Sequence, residues 1–189
     1  LFYVSHRLAK YYQPASSDQK SLVEIGGGLG VLAAINLYRF KPSHYLIIDL
    51  PEMLVHSANT LHALYPHLPC YFLLPNQPVR FLVEQPGLYF CVPEMVDELP
   101  GNTFHAAMNV DSFQEMSEFQ VQSYLSLCQR LLVPQGVFLN LNRRKYLSTE
   151  KFDNNPLCYA YEARNRVLVW ELDAFMSETF NWHNIRRDG

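Results

Sequence analysis

The chain has 189 residues, of which 49% are hydrophobic and 17% are charged, and its formal net charge is −3. This length suits one domain with a sizeable core, and the composition excludes an intrinsically disordered chain. The small negative charge gives no electrostatic basis for binding nucleic acid or an anionic membrane, and no apolar run reaches the ~18 residues that span a bilayer.

The first part of the chain predicts two strand–helix units. Residues 22–25 form a short apolar run typical of a buried strand, and apolar residues at helical spacing predict a helix over residues 29–40. Residues 45–50 predict a second strand, which carries Asp49 near its end. The next helix is expected over residues 51–65, because a proline occupies its first position.

The second part of the chain continues this alternation. Strands are predicted over residues 88–92, 104–110 and 136–142, and an amphipathic helix over residues 117–133. Residues 70–74 predict either a further strand or part of a lid. Strands that alternate with helices form right-handed crossovers, so we expect an α/β fold: a Rossmann-like, doubly wound, mostly parallel sheet with helices on both faces.

We expect one domain, and the ends of the chain indicate a fragment. The chain begins at Leu1 without a methionine, and its last residues form no obvious closing element. Residues 1–20 are predicted to be a helical lead-in, and residues 21–142 the ligand-binding core. Residues 143–189 are predicted to be a truncated C-terminal part of the same domain.

Four of the eight glycines lie together between the first predicted strand and the first predicted helix. Gly26, Gly27, Gly28 and Gly30 permit either a tight structural turn or the close approach of a ligand to the backbone. The N-terminus of the following helix favours an anionic group. A carboxylate at the end of the next strand, here Asp49, can accept hydrogen bonds from both hydroxyls of a ribose.

The spacing of the glycines favours one cofactor over another. A dinucleotide fingerprint that begins at Gly26 would need glycine at the position of Val31. The stretch Glu24–Gly30 instead reads acidic-x-G-x-G-x-G, and it resembles motif I of the class I S-adenosylmethionine-dependent methyltransferases, a resemblance that covers roughly residues 20–142. It implies S-adenosylmethionine as the cofactor, and a methyltransferase rather than a dehydrogenase. The cofactor-binding residues that it implies are Glu24, Gly26, Gly27, Gly28, Gly30, Asp49, Leu50 and Asn109.

Polar residues also crowd the end of the predicted strand 104–110. Asn109 ends this strand, at the edge where open α/β sheets bind ligands, and Asp111, Ser112 and Glu115 follow it. The alternative is that Asp111 or Ser112 caps the next helix.

The segments EIGGGLG, IIDLPEML, NVDSFQEM and FLNLNRRKY together resemble the bacterial sugar O-methyltransferase family. In that family an N-x-x-S-F-x-E-M segment follows the fourth strand, and an asparagine-rich end closes the fifth. The resemblance implies methyl transfer to a hydroxyl of a sugar or glycan, with Ser112, Asn142 and Arg143 as acceptor-binding residues. The alternatives are O-methylation of another small metabolite or of a lipid-linked glycan, and a cofactor-binding module without catalysis.

The chemistry implied by this resemblance needs no metal or redox cofactor, because S-adenosylmethionine carries its own electrophile, and the protein must hold the acceptor oxygen in line with the methyl group. A carboxylate that accepts the hydroxyl proton contributes about 10²–10⁴-fold, and Glu115 and Asp111 are the candidates. His183 is a less favoured candidate, and His105 inside the strand suits a structural role. The widely separated cysteines, which are Cys70, Cys91, Cys128 and Cys158, predict reduced thiols and a cytosolic protein.

Overall fold

Six parallel strands form one sheet in the described part of the chain, which comprises residues 1–12, 20–75, 85–142 and 159–169 of a computed structural model. The strands are β1 (Ser21–Ile25), β2 (His44–Ile48), β3 (Cys70–Leu73), β4 (Gly87–Cys91), β5 (Phe104–Val110) and β6 (Leu132–Leu141). The helices are α1 (Phe2–Tyr11), α2 (Val31–Phe40), α3 (Pro51–Leu64) and α4 (Glu118–Leu131), with short 3₁₀ helices over Pro93–Glu98 and Phe113–Glu115. The order across the sheet is β3-β4-β2-β1-β5-β6. The predicted Rossmann-like parallel sheet is confirmed.

The apolar runs become strands because both faces of the sheet are covered. Every residue of β1 and β4 is buried, and β2 is buried after its first residue, as expected for a parallel sheet between helices. Right-handed crossovers place α2 and α3 on one face and α4 on the other, since the chain moves outward from β1 and from β5 in opposite directions. The strand order therefore reverses between β1 and β5. Open α/β sheets bind ligands at the carboxyl ends of the strands at such a point.

Helix α1 packs on α2 through a small apolar contact. Val4 and Leu8 of α1 are buried, and the ring of Tyr12 meets that of Phe40 edge-on, with the centroids 5.2 Å apart. Burying an aliphatic side chain of this kind stabilises a fold by about 1.5–3 kcal/mol.

None of the helices in the described ranges is long and apolar enough to cross a membrane.

Most predicted elements differ from the observed ones by one or two residues at a boundary, and the second strand ends at Ile48, so Asp49 follows it rather than lying within it. The helix predicted over residues 29–40 begins only after Gly30, because the φ angle of 78° at this residue is left-handed. The strand predicted over residues 136–142 begins earlier, directly after α4, and its first part is irregular near Gln135, which has a φ angle of 69°. Of the two alternatives for residues 70–74, the strand is observed.

Helix α4 is fixed at both ends. At its start the hydroxyl of Ser117 accepts the N–H of Gln120 at 3.4 Å, and the side chain of Gln120 accepts the N–H of Ser117 at 3.0 Å. This reciprocal pair is a capping box. Near its end Arg130 donates to the carbonyl of Val96 at 2.7 Å and to the carbonyl of Leu99. The arginine therefore fixes α4 to the 3₁₀ helix that connects β4 with β5.

Candidate functional site

The loop between β1 and α2 is a tight turn built from glycine. Gly26, Gly28 and Gly30 have φ angles of 74°, 55° and 78°, in the left-handed region that residues with a Cβ rarely adopt. The N–H of Gly26 donates to the carbonyl of Ile48 at 2.8 Å, so the turn begins against the end of β2. The glycine-rich turn that the sequence predicts therefore lies at the carboxyl end of β1, beside the point where the strand order reverses.

Packing explains two of the glycines. A Cβ built on Gly26 would overlap the hydroxyl of Ser112, and a Cβ on Gly27 would lie 2.6 Å from Cγ2 of Ile47. Carbon atoms in favourable contact are about 3.5–4.0 Å apart, so neither side chain fits without movement of its neighbour. At these two positions a tight structural turn is enough to explain the glycine, without any ligand.

Gly28 has a different environment. A Cβ built on Gly28 would meet no heavy atom of the surrounding protein within 4 Å, whereas a Cβ on Gly30 would lie 3.1 Å from Cβ of Ser57 on α3. Gly28 thus presents bare backbone to open space at the carboxyl edge of the sheet. This arrangement is the one expected where a ligand approaches the chain.

Asp49 follows β2 directly, and its carboxylate lies against the glycine turn. Oδ2 accepts the N–H of Gly28 at 2.8 Å, and Oδ1 accepts the N–H of Leu50 at 2.8 Å. The Asp49 side chain is half-buried, and the apolar side chain of Leu50 beside it is exposed. A carboxylate can accept about four hydrogen bonds, so Asp49 retains capacity for a further donor. The structure therefore places the acidic residue after β2 in direct contact with the glycine turn, and the sequence analysis assigned both to the cofactor site.

Glu24 lies within the sheet rather than in the turn. Its side chain is 3% exposed and accepts the hydroxyl of Tyr45 on β2 at 2.7 Å, and the amide of Asn36 on α2 donates to the same hydroxyl at 3.2 Å. Burial raises the pKa of Glu24 to about 8; the hydrogen bond from Tyr45 acts against this rise, and the charge of Asp49 adds to it. The sequence did not reveal the roles of Tyr45 and Asn36, because a pairing across two strands and a helix leaves no periodic pattern.

Asn109 and Ser112 lie beneath the glycine turn. Asn109 is fully buried, and its Nδ2 donates to the carbonyl of Ile25 at 3.0 Å and to the hydroxyl of Ser112. The hydroxyl of Ser112 donates to the same carbonyl at 3.2 Å. Asn142, which follows β6, donates to Oδ1 of Asn109 at 2.7 Å. Three residues that the sequence assigned to cofactor and acceptor binding are therefore one hydrogen-bonded group.

The two candidate bases lie in different environments beyond β5. Asp111 is half-buried, has a left-handed φ angle of 61°, and is held by the hydrogen bond of its N–H to the carbonyl of Leu141 at 2.9 Å. Glu115 ends the second 3₁₀ helix, and its side chain is exposed. Both carboxyl groups follow β5 at the same edge of the sheet as the glycine turn, as the sequence predicts.

Neither Asp111 nor Ser112 caps α4, so this alternative to a functional role is wrong for that helix. The N-cap of this helix is Ser117, whose hydroxyl accepts the N–H of Gln120. The polar residues between β5 and α4 are therefore not explained by the free N–H groups at the start of α4.

The described residues hold no group of three or more His, Cys, Asp or Glu that could bind a metal ion. His105 lies near the start of β5, where its Nδ1 is 2.9 Å from the hydroxyl of Ser21, in keeping with a structural role. The cysteines Cys70, Cys91 and Cys128 are free thiols. The predicted residues Arg143 and His183, together with Cys158, lie outside the described residues.

An aromatic cluster that the sequence did not predict lies beside the asparagines. Its rings, whose neighbouring centroids are 6.1–6.4 Å apart, are those of Phe113, Tyr124, Phe138, Tyr159 and Tyr161. Burial raises the pKa of the Tyr159 and Tyr161 hydroxyls, and the amide of Asn140 at the end of β6 opposes this rise in both. These two tyrosines reach the site from a segment far along the chain, which spacing alone could not reveal.

A scan of the chain against protein-family models finds no match, and a search of the curated proteins finds none either. Solved structures do match. The YcgJ protein from Bacillus subtilis has a TM-score of 0.55 at 13% identity, over 77% of this chain and 52% of that chain. CurJ carbon methyltransferase has a TM-score of 0.50 at 14% identity, over 73% of this chain and 33% of that one. The [4+2]-cyclase SpnF has a TM-score of 0.50 at 20% identity, over 73% of this chain and 44% of that one.

The chain has the fold of the class I S-adenosylmethionine-dependent methyltransferases. It spans about half or less of the length of the solved structures just described. Their identities of 13–20% show the fold alone, and a fold can host more than one chemistry, as the cyclase among them illustrates. The matches include a carbon methyltransferase, so they do not distinguish a sugar hydroxyl from other methyl acceptors.

Proposed function

We propose that this chain binds S-adenosylmethionine and transfers its methyl group to a hydroxyl of a sugar or glycan. The observation that carries the proposal is the contact between Asp49 and Gly28, 2.8 Å long, at the carboxyl edge beside the point where the strand order reverses. It combines a carboxylate with bare backbone at the edge where this class of sheet binds nucleotides.

The residues present fit the cofactor. Each oxygen of Asp49 accepts one backbone N–H and retains a further lone pair, which suits the two hydroxyls of a ribose. Open space at Gly28 allows the ligand to approach the turn, and Leu50 offers an exposed apolar surface to the flat adenine ring. Glu24, two residues before the turn, holds β1 against β2 through its hydrogen bond with Tyr45.

S-adenosylmethionine, when bound, supplies an electrophilic methyl group on a positively charged sulfur. Asp111 and Glu115 are the proposed bases, one of which takes up the proton that the acceptor hydroxyl loses. Such a base contributes about 10²–10⁴-fold, and the rest of the rate enhancement comes from holding the acceptor in line. The left-handed backbone at Asp111 is fixed by its hydrogen bond to Leu141, which favours a defined position for this carboxyl group.

A sugar or glycan is proposed as the acceptor because of the groups near β6. Asn140 supplies an uncharged amide, and the half-buried ring of Tyr161 lies beside it. Amides and aromatic faces suit a neutral polyhydroxyl compound. Arg143 is a further acceptor-binding residue in this proposal. A reducing, cytosolic location also belongs to it, since the cysteines in the described ranges are free thiols.

A second candidate is a cofactor-binding module that does not transfer methyl groups, because the cyclase among the matched structures shows that this fold alone does not establish methyl transfer. Both candidates require the chain to bind the cofactor, and titration calorimetry with S-adenosylhomocysteine and with NAD tests this binding. We expect micromolar affinity for S-adenosylhomocysteine and none for NAD, and the opposite result overturns the proposal. Transfer of a labelled methyl group to a panel of sugars then separates the enzyme from the module.

A further inference from the structure

The asparagines at the ends of β5 and β6 use their amide groups on one another and on the backbone. Asn142 donates from Nδ2 to Oδ1 of Asn109 at 2.7 Å and to Oδ1 of Asn140 at 2.6 Å, and its own Oδ1 accepts the N–H of Gln114 at 3.2 Å. Oδ1 of Asn109 also accepts the N–H of Phe113 at 3.2 Å. Because the oxygens of Asn109 and Asn142 face N–H donors, the orientation of both amides is defined by their partners.

The orientation of Asn109 determines its effect on the glycine turn. With its oxygen held by Asn142 and Phe113, its Nδ2 lies 3.0 Å from the carbonyl of Ile25, the last residue of β1. The same Nδ2 donates to Ser112, whose hydroxyl occupies the space of a Cβ on the first glycine of the turn. A continuous series of contacts therefore runs from the end of β6, across β5, to the start of the turn after β1.

We propose that Asn142 is a positioning residue for the cofactor site. Through Asn109 and Ser112 it holds the turn that contains Gly26 and Gly28 in the conformation that receives the ligand. This inference rests on the proposed binding of S-adenosylmethionine, and it gives Asn142 a role different from the acceptor contact implied by the sequence. A turn that is fixed before binding loses less conformational entropy when the ligand arrives, so affinity depends on residues that do not touch the ligand.

The test is Asn142→Asp, which keeps the size of the side chain and an oxygen that accepts from Gln114. The substitution replaces the donor Nδ2 by an oxygen that faces the oxygens of Asn109 and Asn140. We expect the dissociation constant of S-adenosylhomocysteine to rise about three- to tenfold, the range for loss of one net hydrogen bond. Hydrogen exchange of the free protein should become faster over residues 26–30. The matched control is Asn102→Asp, an exposed site before β5 at the opposite edge of the sheet, and it should change neither quantity.

The remaining outcomes separate this role from others. Wild-type affinity and wild-type exchange in Asn142→Asp overturn the inference, and so does weaker binding without faster exchange in the turn, which indicates direct contact with the ligand. Equally faster exchange throughout the sheet also overturns it, because it indicates a general loss of stability.

A second variant keeps the inference testable if Asn142→Asp does not fold. Ser112→Ala should weaken binding in the same way, and combining it with Asn142→Asp should add little, since both act through one series of contacts. Additive effects of the two substitutions overturn the inference. If the wild-type protein fails to bind S-adenosylhomocysteine, the proposed function fails, while the exchange of residues 26–30 still decides whether Asn142 holds the turn.

Discussion

The carboxylate of Asp49 accepts the N–H of Gly28 at 2.8 Å, which joins the end of β2 to the glycine turn after β1. Its other oxygen accepts the N–H of Leu50 at 2.8 Å. Asp49 therefore shapes the turn and, in the proposed function, also binds the ribose. Both tasks use the same two oxygen atoms, so a substitution at this position reports on the geometry of the whole cofactor site.

The first prediction concerns Asp49→Ala. This variant should weaken the binding of S-adenosylhomocysteine by about 1.5–3 kcal/mol, the range for hydrogen bonds to a charged group, as measured by titration calorimetry. The thermal midpoint should change little, because the half-buried carboxylate lies at the rim of the sheet. Glu52→Ala, which removes an exposed carboxylate from the first turn of α3, is the matched control. A collapsed thermal midpoint with unchanged affinity would assign Asp49 to folding alone.

The second prediction compares Gly28 with Gly27. A methyl group at Gly28 projects into open space, so Gly28→Ala should fold, with a cost of about 1–2 kcal/mol for its left-handed backbone, and should bind S-adenosylhomocysteine much more weakly. Gly27→Ala should instead lower the thermal midpoint further, because its Cβ would lie 2.6 Å from Ile47. Thermal scans and calorimetry on both variants check this contrast. Wild-type affinity in Gly28→Ala would show that no ligand approaches the turn at that residue.

The sequence predicted the parts of the site that depend on strand ends. An apolar run that stops at an acidic residue identifies Asp49, and a glycine cluster after an apolar run identifies the turn. Parallel strands release their carboxyl ends at one edge, so the sequence also placed Asn109 and the polar residues after it at the same edge as the glycine turn.

Other parts of the site depend on contacts that leave no local signal in the sequence. Tyr45 is one residue of a uniform apolar run, and nothing in that run shows that its hydroxyl meets Glu24 on the neighbouring strand at 2.7 Å. Tyr159 packs on Phe113 with the ring centroids 6.2 Å apart, although the two are far apart in the chain. Both relationships follow from the register of the sheet and the path of the chain over it, which periodicity does not encode.

The third prediction concerns the general base. In the proposed transfer to a sugar, Glu115→Gln or Asp111→Asn should lower turnover at least about tenfold and leave the affinity for S-adenosylhomocysteine unchanged. Asparagine tolerates left-handed backbone, so Asp111→Asn keeps the φ angle of 61° without added strain. Glu118→Gln, at another exposed carboxylate close by, is the control. Wild-type turnover in both test variants would mean that neither carboxyl group is the base. His183 would then be the next candidate, or the reaction would rely on positioning alone.

The fourth prediction concerns the segment that carries Tyr159 and Tyr161. Gln129 on α4 accepts the N–H of Glu162 at 2.9 Å and the side-chain amide of Asn165 at 2.5 Å. Gln129→Ala should therefore speed hydrogen exchange in residues 159–165 and leave the exchange of β1 and β4 unchanged, because those strands are fully buried. The matched control is Gln135→Ala, at an exposed site on β6. Unchanged exchange in the segment would mean that the aromatic contacts and the hydrogen bond from the N–H of Ala160 to Gln122, 3.3 Å long, are enough to hold it against α4.

The last prediction follows from the buried carboxyl group of Glu24, whose pKa rises from 4.5 to about 8. Between these two pH values the folded state keeps a proton that the unfolded state has lost. The free energy of unfolding should therefore fall as the pH rises, by up to about 1.4 kcal/mol per pH unit from this group. Below the window both states are protonated and above it both are ionised, so the contribution becomes constant.

Glu24→Gln isolates this contribution, because the amide keeps the shape of the side chain and an oxygen that accepts from Tyr45, and it does not titrate. Urea unfolding of both proteins at intervals from pH 5 to pH 8 should show the variant gaining stability relative to the wild type as the pH rises. Histidines with a lowered pKa, such as His44 and His105, titrate in both proteins, so their effects cancel in the difference. Parallel stability curves would mean that Glu24 ionises in the folded protein as readily as in the unfolded chain.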